Sequence, residues 1–179
     1  MALPKLETPV YTLKMPSTDE EIKFRPFLVK EQKRMLMAQE SDKDTEVLDA
    51  MKQLIKDCTF GKVDPDACPL FDAEYIFLQI RSKSVGESVT LNITCPDDDK
   101  TKVPILIKLD DIKIKTSKEH SKDIRLDDNL TLRMKYPSMK EFIKSNFSVE
   151  GMKPEDTFDL IISCIEQVYS QEESWSASD

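Results

Sequence analysis

The fold is decided by residues 22–58, IKFRPFLVKEQKRMLMAQESDKDTEVLDAMKQLIKDC. At the start of this stretch charged and apolar side chains alternate, which indicates a strand with one buried face. Pro26 ends the strand, because proline has no N–H to donate to a strand ladder and suits the turn into a helix. With residues 10–14 as its partner and residues 16–19 as the turn, this strand over residues 21–27 predicts an N-terminal β-hairpin.

Two helices are predicted next, over residues 29–40 and 45–59. In the second, apolar residues recur three and four positions apart, which places them on one face of a helix. The polar residues 41–44 offer turn and N-cap side chains between the helices, a pattern typical of an antiparallel pair. The apolar faces of the strand and helices need the same cover, so we expect one N-terminal core. Its predicted members are Phe24, Phe27, Leu36, Met51, Leu54 and Ile55.

A third segment, residues 73–80, is apolar on nearly all sides. Such a run is compatible with a buried strand or a buried helix. Asp72 as an N-cap, and Gly86 as a stop after a polar continuation, favour the helix.

The second half of the chain carries strand patterns. Residues 88–95 and 103–109 flank a turn rich in aspartate, and Pro104 marks an edge or a bulge of the hairpin that they predict. The segments 124–126 and 130–134 flank a tight turn and predict a further hairpin.

Two helices are predicted to close the chain. Ser138 and Glu141 have the spacing of a capping box, in which each side chain bonds the backbone N–H of the other residue. Pro154 suits the first turn of the last helix, whose apolar residues keep helical spacing as far as Tyr169.

The expected fold class is α+β: an N-terminal β-hairpin with a helical unit, followed by antiparallel β-hairpins closed by two C-terminal helices. Residues 1–86 are expected to form the first unit and residues 87–169 the second. Residues 170–179 are expected to form a tail that is too polar to pack on its own.

Three segments carry a resemblance to a known family. They are the strand end FRPFLVKE at residues 24–31, the acidic linker ESD at residues 40–42, and the step RSKSVG at residues 81–86 after the apolar helix. In these segments the chain resembles the baseplate hub subunit family of T-even-type (T4-like) contractile-tailed bacteriophages. That family is not a family of enzymes, so the resemblance implies a late phage protein of tail assembly.

Two roles are implied by the resemblance. One is a baseplate hub component or hub assembly factor, which acts by protein–protein binding before the tail sheath polymerises. The alternative is a chaperone or adaptor for the tail tape-measure protein or another hub protein, absent from the mature virion. The implied partners are phage baseplate hub and tail proteins. They would be met in the host cytoplasm during assembly, and a protein that is retained would lie in the virion tail baseplate.

The resemblance also bears on the C-terminus. Members of the family tend to carry a further acidic helical segment there, which would make this chain a shortened form.

The charge balance argues against nucleic-acid and membrane partners. The chain has 34 acidic and 26 basic residues and a net charge of -8, so a DNA duplex or an anionic membrane would repel it at long range. It has no apolar run of about 18 residues, and its first five residues lack the apolar core of a signal peptide. We therefore expect a cytosolic protein whose four cysteines are thiols.

The sequence predicts no cofactor, metal or catalytic site. The three glycines are too far apart to form a phosphate-binding loop. His120 is the only histidine and lies in a hydrophilic stretch, so we expect a solvated side chain rather than a catalytic base. Cys95 lacks the second cysteine of a zinc knuckle, and the aspartates of residues 97–99 suit a turn better than a calcium site. We expect neither a small-molecule substrate nor enzymatic activity.

Met35, Met37 and Arg25 are candidate partner-binding residues. Both methionines lie on the predicted helix 29–40, and flexible thioethers suit adaptable binding surfaces, although they also fill cores. Arg25 is expected to bond backbone or a carboxylate at the turn into that helix. An exposed, unpartnered guanidinium would instead indicate partner contact.

Trp175 is the fourth candidate. It is the only tryptophan and lies in the polar tail, where a large amphipathic ring commonly anchors to a partner. We expect it to be mobile and exposed in the isolated protein and buried in a complex. The alternative is that it packs on Val168 or Tyr169.

Overall fold

The chain is an α+β protein with antiparallel sheets, as predicted. The computed structural model describes residues 7–41, 43–115, 117, 119–144 and 154–176. Within these residues the helices are α1 (Val29–Glu40), α2 (Asp44–Cys58), α3 (Leu70–Val85), α4 (Met139–Lys144) and α5 (Pro154–Ser163). The strands are β1 (Tyr11–Lys14), β2 (Glu21–Phe24), β3 (Ser88–Thr94), β4 (Lys102–Lys108), β5 (Asp123–Arg125), β6 (Thr131–Met134), β7 (Ile165–Tyr169) and β8 (Ser174–Ser176).

The chain divides into two compact units. Unit 1 comprises Met1–Asp64 and Phe71–Ile114, and unit 2 comprises Pro65–Leu70 and Lys115–Asp179. The division differs from the predicted one at residue 86, because the hairpin β3–β4 groups with unit 1. At the base of this hairpin Leu109 is buried, and its N–H closes the hairpin by donating to the Glu87 carbonyl over 2.8 Å.

In unit 1, β1 and β2 form the predicted N-terminal hairpin, with Leu13 opposite Ile22. The second strand is shorter than predicted and ends at Phe24. Beyond it, the Arg25 N–H donates to the Cys58 carbonyl over 3.0 Å and the Phe27 N–H to Ser84 Oγ over 2.9 Å. The strand therefore ends before Pro26, because the next backbone N–H groups bond to α2 and α3 instead of to β1.

The N-terminal core is only partly as predicted. Phe24, Leu54 and Ile55 are buried, and Phe27 and Met51 are half-buried. The prediction for Leu36 is wrong, because its side chain is 53% exposed. The buried side of α1 is formed by Glu31 and Ala38, and at 100° per residue Leu36 lies roughly 150° away from them.

The helix predicted from residues 73–80 is confirmed as α3. Asp72 is not its N-cap but lies in its first turn, where it is buried. The carboxylate accepts the Ser17 backbone N–H over 3.1 Å and also accepts the Ser17 hydroxyl. Burial raises the pKa of Asp72 despite these two bonds. Its role is therefore to tie the turn of the N-terminal hairpin to α3.

Unit 2 contains a four-stranded sheet in the order β5-β6-β7-β8. The capping box of α4 is confirmed, since Ser138 N–H donates to Glu141 Oε2 over 2.9 Å and Glu141 N–H to Ser138 Oγ over 3.2 Å. The predicted extension of the last helix to Tyr169 is wrong, because α5 ends at Ser163 and the chain continues as β7. The segment IEQVY is rich in β-branched and aromatic residues, and the free edge of β6 offers it a strand partner.

The C-terminal tail also differs from the prediction. Ser170 and Glu173 close a turn through a 2.8 Å backbone bond, and β8 then pairs with β7. In this register Trp175 lies opposite Val168. Backbone pairing therefore orders a segment whose side chains are too polar to form a core.

Candidate protein-binding surface

One face of the β3–β4 hairpin consists entirely of aliphatic side chains. The register places Val89 opposite Ile107, Leu91 opposite Ile105, and Ile93 opposite Val103. Because side chains alternate across a strand, all six lie on the same side of the hairpin. We call these six residues the aliphatic face.

The aliphatic face is open to solvent in the isolated chain. Its four outer members, Leu91, Ile93, Val103 and Ile105, are between 41% and 47% exposed. Within the described part of the chain, β3 pairs only with β4, so no further strand extends this sheet. A two-stranded hairpin is marginally stable by itself, and an exposed aliphatic cluster of this kind marks a protein interaction site.

The opposite face of the hairpin is predominantly polar. It carries two threonines, Asn92, a serine and two lysines, with Leu106 as its exposed apolar exception beside Pro104. The hairpin is therefore amphipathic, with one face suited to water and the other to a protein partner. The alternating pattern was visible in both strands of the sequence. What the sequence did not reveal was that nothing in the described chain covers the apolar side.

Arg25 is engaged within the chain, in the manner expected at the turn into α1. Its Nη1 donates to the Pro26 carbonyl over 3.0 Å and its Nη2 to Glu31 Oε1 over 2.9 Å. Both side chains are buried, and Glu31 Oε2 also accepts the Leu28 N–H over 2.8 Å. The expected bonds to backbone and carboxylate are confirmed. Its partner-binding role stays a prediction, and the buried pairing does not favour it.

The two candidate methionines lie on α1 with different exposure. Met37 is exposed, and Met35 is half-buried. Exposed Leu36 lies between them, and exposed Val29 begins the helix. The helix therefore presents several separate apolar side chains to solvent, interspersed with lysine and glutamine. Partner binding by these methionines stays a prediction.

Trp175 is 40% exposed and lies in a row of apolar residues across the sheet of unit 2. The register aligns Ile124, Leu132, Val168 and Trp175 on one face. The ring is thus ordered in a strand and partly covered, as in the alternative that placed it against Val168. The mobility of Trp175 in the isolated protein and its burial by a partner both stay predictions.

Trp175 provides a direct fluorescence test of partner contact. Because it is the only tryptophan, all of the tryptophan emission comes from this site. We expect the isolated protein to emit at an intermediate to long wavelength and to be accessible to iodide, since the ring is partly exposed. After subtraction of the emission of the partner proteins alone, a blue shift with loss of quenching on addition of purified baseplate proteins of the same phage would place Trp175 in the interface. An unchanged spectrum in a complex formed by these proteins would exclude it.

A second exposed apolar cluster lies on α5 in unit 2. Phe158, Ile161 and Ile162 recur at helical spacing and are exposed. In the sequence, α5 directly follows residues 145–153, which lie outside the described part of the chain.

The described residues offer little for catalysis. His120 is exposed, and its ring stacks on Tyr136 with 5.6 Å between centroids and a 2.8 Å contact from Nε2 to the phenol oxygen. Burial raises the pKa of Cys58 to about 11, so this thiol stays protonated at neutral pH. Among the described residues, no three His, Cys, Asp or Glu side chains are placed to hold a metal ion. The described helices include none that is long and apolar enough to cross a bilayer.

The chain was compared with known protein families, curated proteins and solved structures. A family model described as T4 bacteriophage base plate protein matches residues 8–179. No curated protein and no solved structure shows significant similarity to the chain. The match covers both units and includes all of the segments that form the aliphatic face.

Proposed function

Because the chain belongs to the T4 bacteriophage base plate protein family, we propose that this baseplate protein is a hub component or hub assembly factor that acts by binding other tail proteins. The observation that carries the proposal is the aliphatic face, which is open in the isolated chain. An exposed apolar face of this kind is the surface on which a subunit of a multiprotein baseplate would bind a neighbouring subunit. We propose that it has no enzymatic activity and meets its partners in the host cytoplasm before they join the baseplate.

The strength of the interface can be estimated from the aliphatic face. Complete burial of one aliphatic side chain contributes about 1.5–3 kcal/mol, and four members of the face are still roughly half exposed. Their combined burial is enough to dominate a specific interface, although ordering and desolvation costs reduce the net affinity. The interface should be apolar at the aliphatic face and polar around it.

Leu91→Lys tests the proposal, because it places a charge in the middle of the aliphatic face. We expect at least a tenfold loss of affinity for tail assembly intermediates and a matching loss of infectious particles, since a buried unpaired ammonium is strongly unfavourable. The matched control is Leu106→Lys on the opposite face of the same hairpin. Both leucines are exposed, so neither substitution should lower the melting temperature by more than a few degrees.

Two assays would measure these effects. Complementation of a phage that lacks the gene would measure infectious particles, and pull-down of assembly intermediates with each tagged variant would measure binding. Equal binding by wild type, Leu91→Lys and Leu106→Lys would remove the aliphatic face from the interface. Failure of the wild type to bind any baseplate or tail protein would overturn the proposed function itself.

The alternative role, a chaperone or adaptor for the tape-measure protein or another hub protein, is distinguished by the mature particle. Mass spectrometry of purified virions and of assembly intermediates should detect a hub component in both. A chaperone should be present in the intermediates and absent from the virions.

A further inference from the structure

Among the residues that the structure describes, no strand pairs with the outer edge of β3. In an antiparallel pair, residues alternate between those that exchange hydrogen bonds with the partner strand and those whose N–H and C=O point outward. Cys95 N–H donates to the Thr101 carbonyl and Leu109 N–H to the Glu87 carbonyl, each over 2.8 Å. These bonds bracket an uninterrupted register. The members of the aliphatic face therefore bond within the hairpin, and the residues between them direct their backbone groups outward.

The outer edge of β4 is blocked. Pro104 lies opposite Asn92, at one of the outward-directed positions. Since proline has no N–H, β4 lacks a donor in the middle of its outer edge and cannot continue a regular ladder there. Lys102 and Lys108 also lie at outward positions of this edge. Proline and lysine are the residues with which natural sheets prevent strand addition.

The outer edge of β3 has none of these protections. Its outward positions are Ser88, Thr90, Asn92 and Thr94, and the strand SVTLNIT contains neither charge nor proline. The hairpin thus has one protected edge and one open edge, and the open edge borders the aliphatic face. Small polar residues on one face and aliphatic residues on the other match a strand of an antiparallel sheet with one buried and one solvated face, and the absence of charge and proline matches an interior strand.

We propose that β3 accepts a strand from another baseplate or tail protein, which extends the hairpin to three strands and covers the border of the aliphatic face. The inference rests on the proposed function and adds the mode of binding and the chemistry of the partner. The recognised group is an extended backbone of about seven residues, matched to the length of β3. Its side chains should be aliphatic at alternate positions, so that they continue the rows begun by Leu91 and Ile93, and polar at the positions between.

A strand from a different protein fits better than the β3 strand of a second copy. Each copy of this chain carries a net charge of -8, which opposes close pairing of two copies at low salt. A second β3 would satisfy the backbone but would bring two strongly acidic chains together. We therefore expect the isolated protein to be monomeric and its partner strand to come from a neutral or basic surface.

Thr90→Pro tests the proposal, and Leu106→Pro is its matched control. These residues lie opposite each other at a position where neither N–H bonds within the hairpin. Each substitution therefore removes one outward donor and no hydrogen bond of the hairpin, on the open edge in one case and on the blocked edge in the other. We expect Thr90→Pro to weaken binding at least tenfold to whichever purified baseplate or tail protein of the same phage binds the wild type. Leu106→Pro should bind within about twofold of the wild type.

Amide hydrogen exchange of the unmodified protein gives an independent result in case a proline variant fails to fold. On binding, the amides of Thr90, Asn92 and Thr94 should become protected, whereas those of Leu106 and Lys108 should exchange at their former rate. Protection of neither set, or equal binding by both proline variants, would overturn strand addition while the proposed function stands. If the wild type binds none of the purified proteins, the proposed function fails and this inference fails with it. If the wild type dimerises alone and Thr90→Pro is monomeric, the occupant is a second copy and our choice of partner is wrong.

Discussion

Replacing Glu31 by alanine is expected to lower the free energy of unfolding by about 3–5 kcal/mol. The substitution leaves the buried guanidinium of Arg25 without its carboxylate and removes the acceptor of the Leu28 N–H at the start of α1. A charge that stays buried without a partner is destabilising by several kcal/mol, which is more than the loss of an ordinary hydrogen bond. Urea denaturation followed by circular dichroism would measure the change.

Arg34→Ala is the matched control for this experiment. Arg34 and Asp57 also form an ion pair within the helical part of unit 1, with 3.3 Å between the charged atoms, but the side chains are 48% and 27% exposed. Water screens such a pair, so its loss should lower the free energy of unfolding by less than about 1 kcal/mol. A loss of this small size for Glu31→Ala would show that Arg25 reaches solvent and that the buried pair is not essential.

The pH dependence of the same variants gives a second check. Burial tends to raise the pKa of Glu31, but the hydrogen bonds from Arg25 and Leu28 outweigh it, so the net pKa lies below the ordinary value. Ionised Glu31 therefore stabilises the folded state. Its contribution is complete above the unfolded pKa of about 4.3 and is lost as the pH falls through the lower folded pKa. The difference between wild type and Glu31→Ala should be largest near neutral pH and should shrink below about pH 4.

A double variant separates the charge from the packing. Arg25→Met with Glu31→Leu removes both charges and leaves apolar side chains in their place. It should be more stable than Glu31→Ala alone, because no unpaired charge remains in the core. Both variants lack the acceptor of the Leu28 N–H, so a double variant that is less stable than the single one would show that the unpaired charge is not what destabilises Glu31→Ala.

Leu54→Ala should lower the free energy of unfolding by about 2–5 kcal/mol. Leu54 is buried in the core of unit 1, so its truncation to alanine would leave a cavity there. The loss combines the transfer energy of the removed atoms with the energy of that cavity. Denaturation in urea would show a lower midpoint with the slope of the transition little changed.

Leu36→Ala makes the same chemical change on the neighbouring helix and serves as its control. Leu36 is largely exposed on α1, and alanine has the highest helix propensity, so we expect a change within about 0.5 kcal/mol. Equal losses for the two leucines would mean that Leu36 is covered in solution. A loss below about 1 kcal/mol for Leu54→Ala would overturn the N-terminal core.

Several elements of both units could be predicted from the sequence because their signals are local. Apolar residues at helical spacing predicted α2, and Pro26 predicted the turn into α1. The capping box of Ser138 and Glu141 predicted the start of α4. The family resemblance on residues 24–31, 40–42 and 81–86 also pointed to a baseplate protein, and the family match over residues 8–179 agrees. In each of these cases neighbouring residues in the chain carry the decisive interaction.

Contacts between distant residues decided the rest. Leu36 has the hydrophobicity of a core residue, but the side of α1 that is buried in the tertiary structure carries Glu31 and Ala38, and Leu36 lies on the other side of the helix. Residues 165–169 have apolar residues at helical spacing, but they form a strand because their backbone pairs with the edge of β6. The tail has too few apolar side chains to fold alone, and pairing with β7 orders it. Alternation alone predicted the two faces of β3–β4. Only the tertiary structure shows that no described segment covers the aliphatic face, because burial depends on which distant segments pack against a strand.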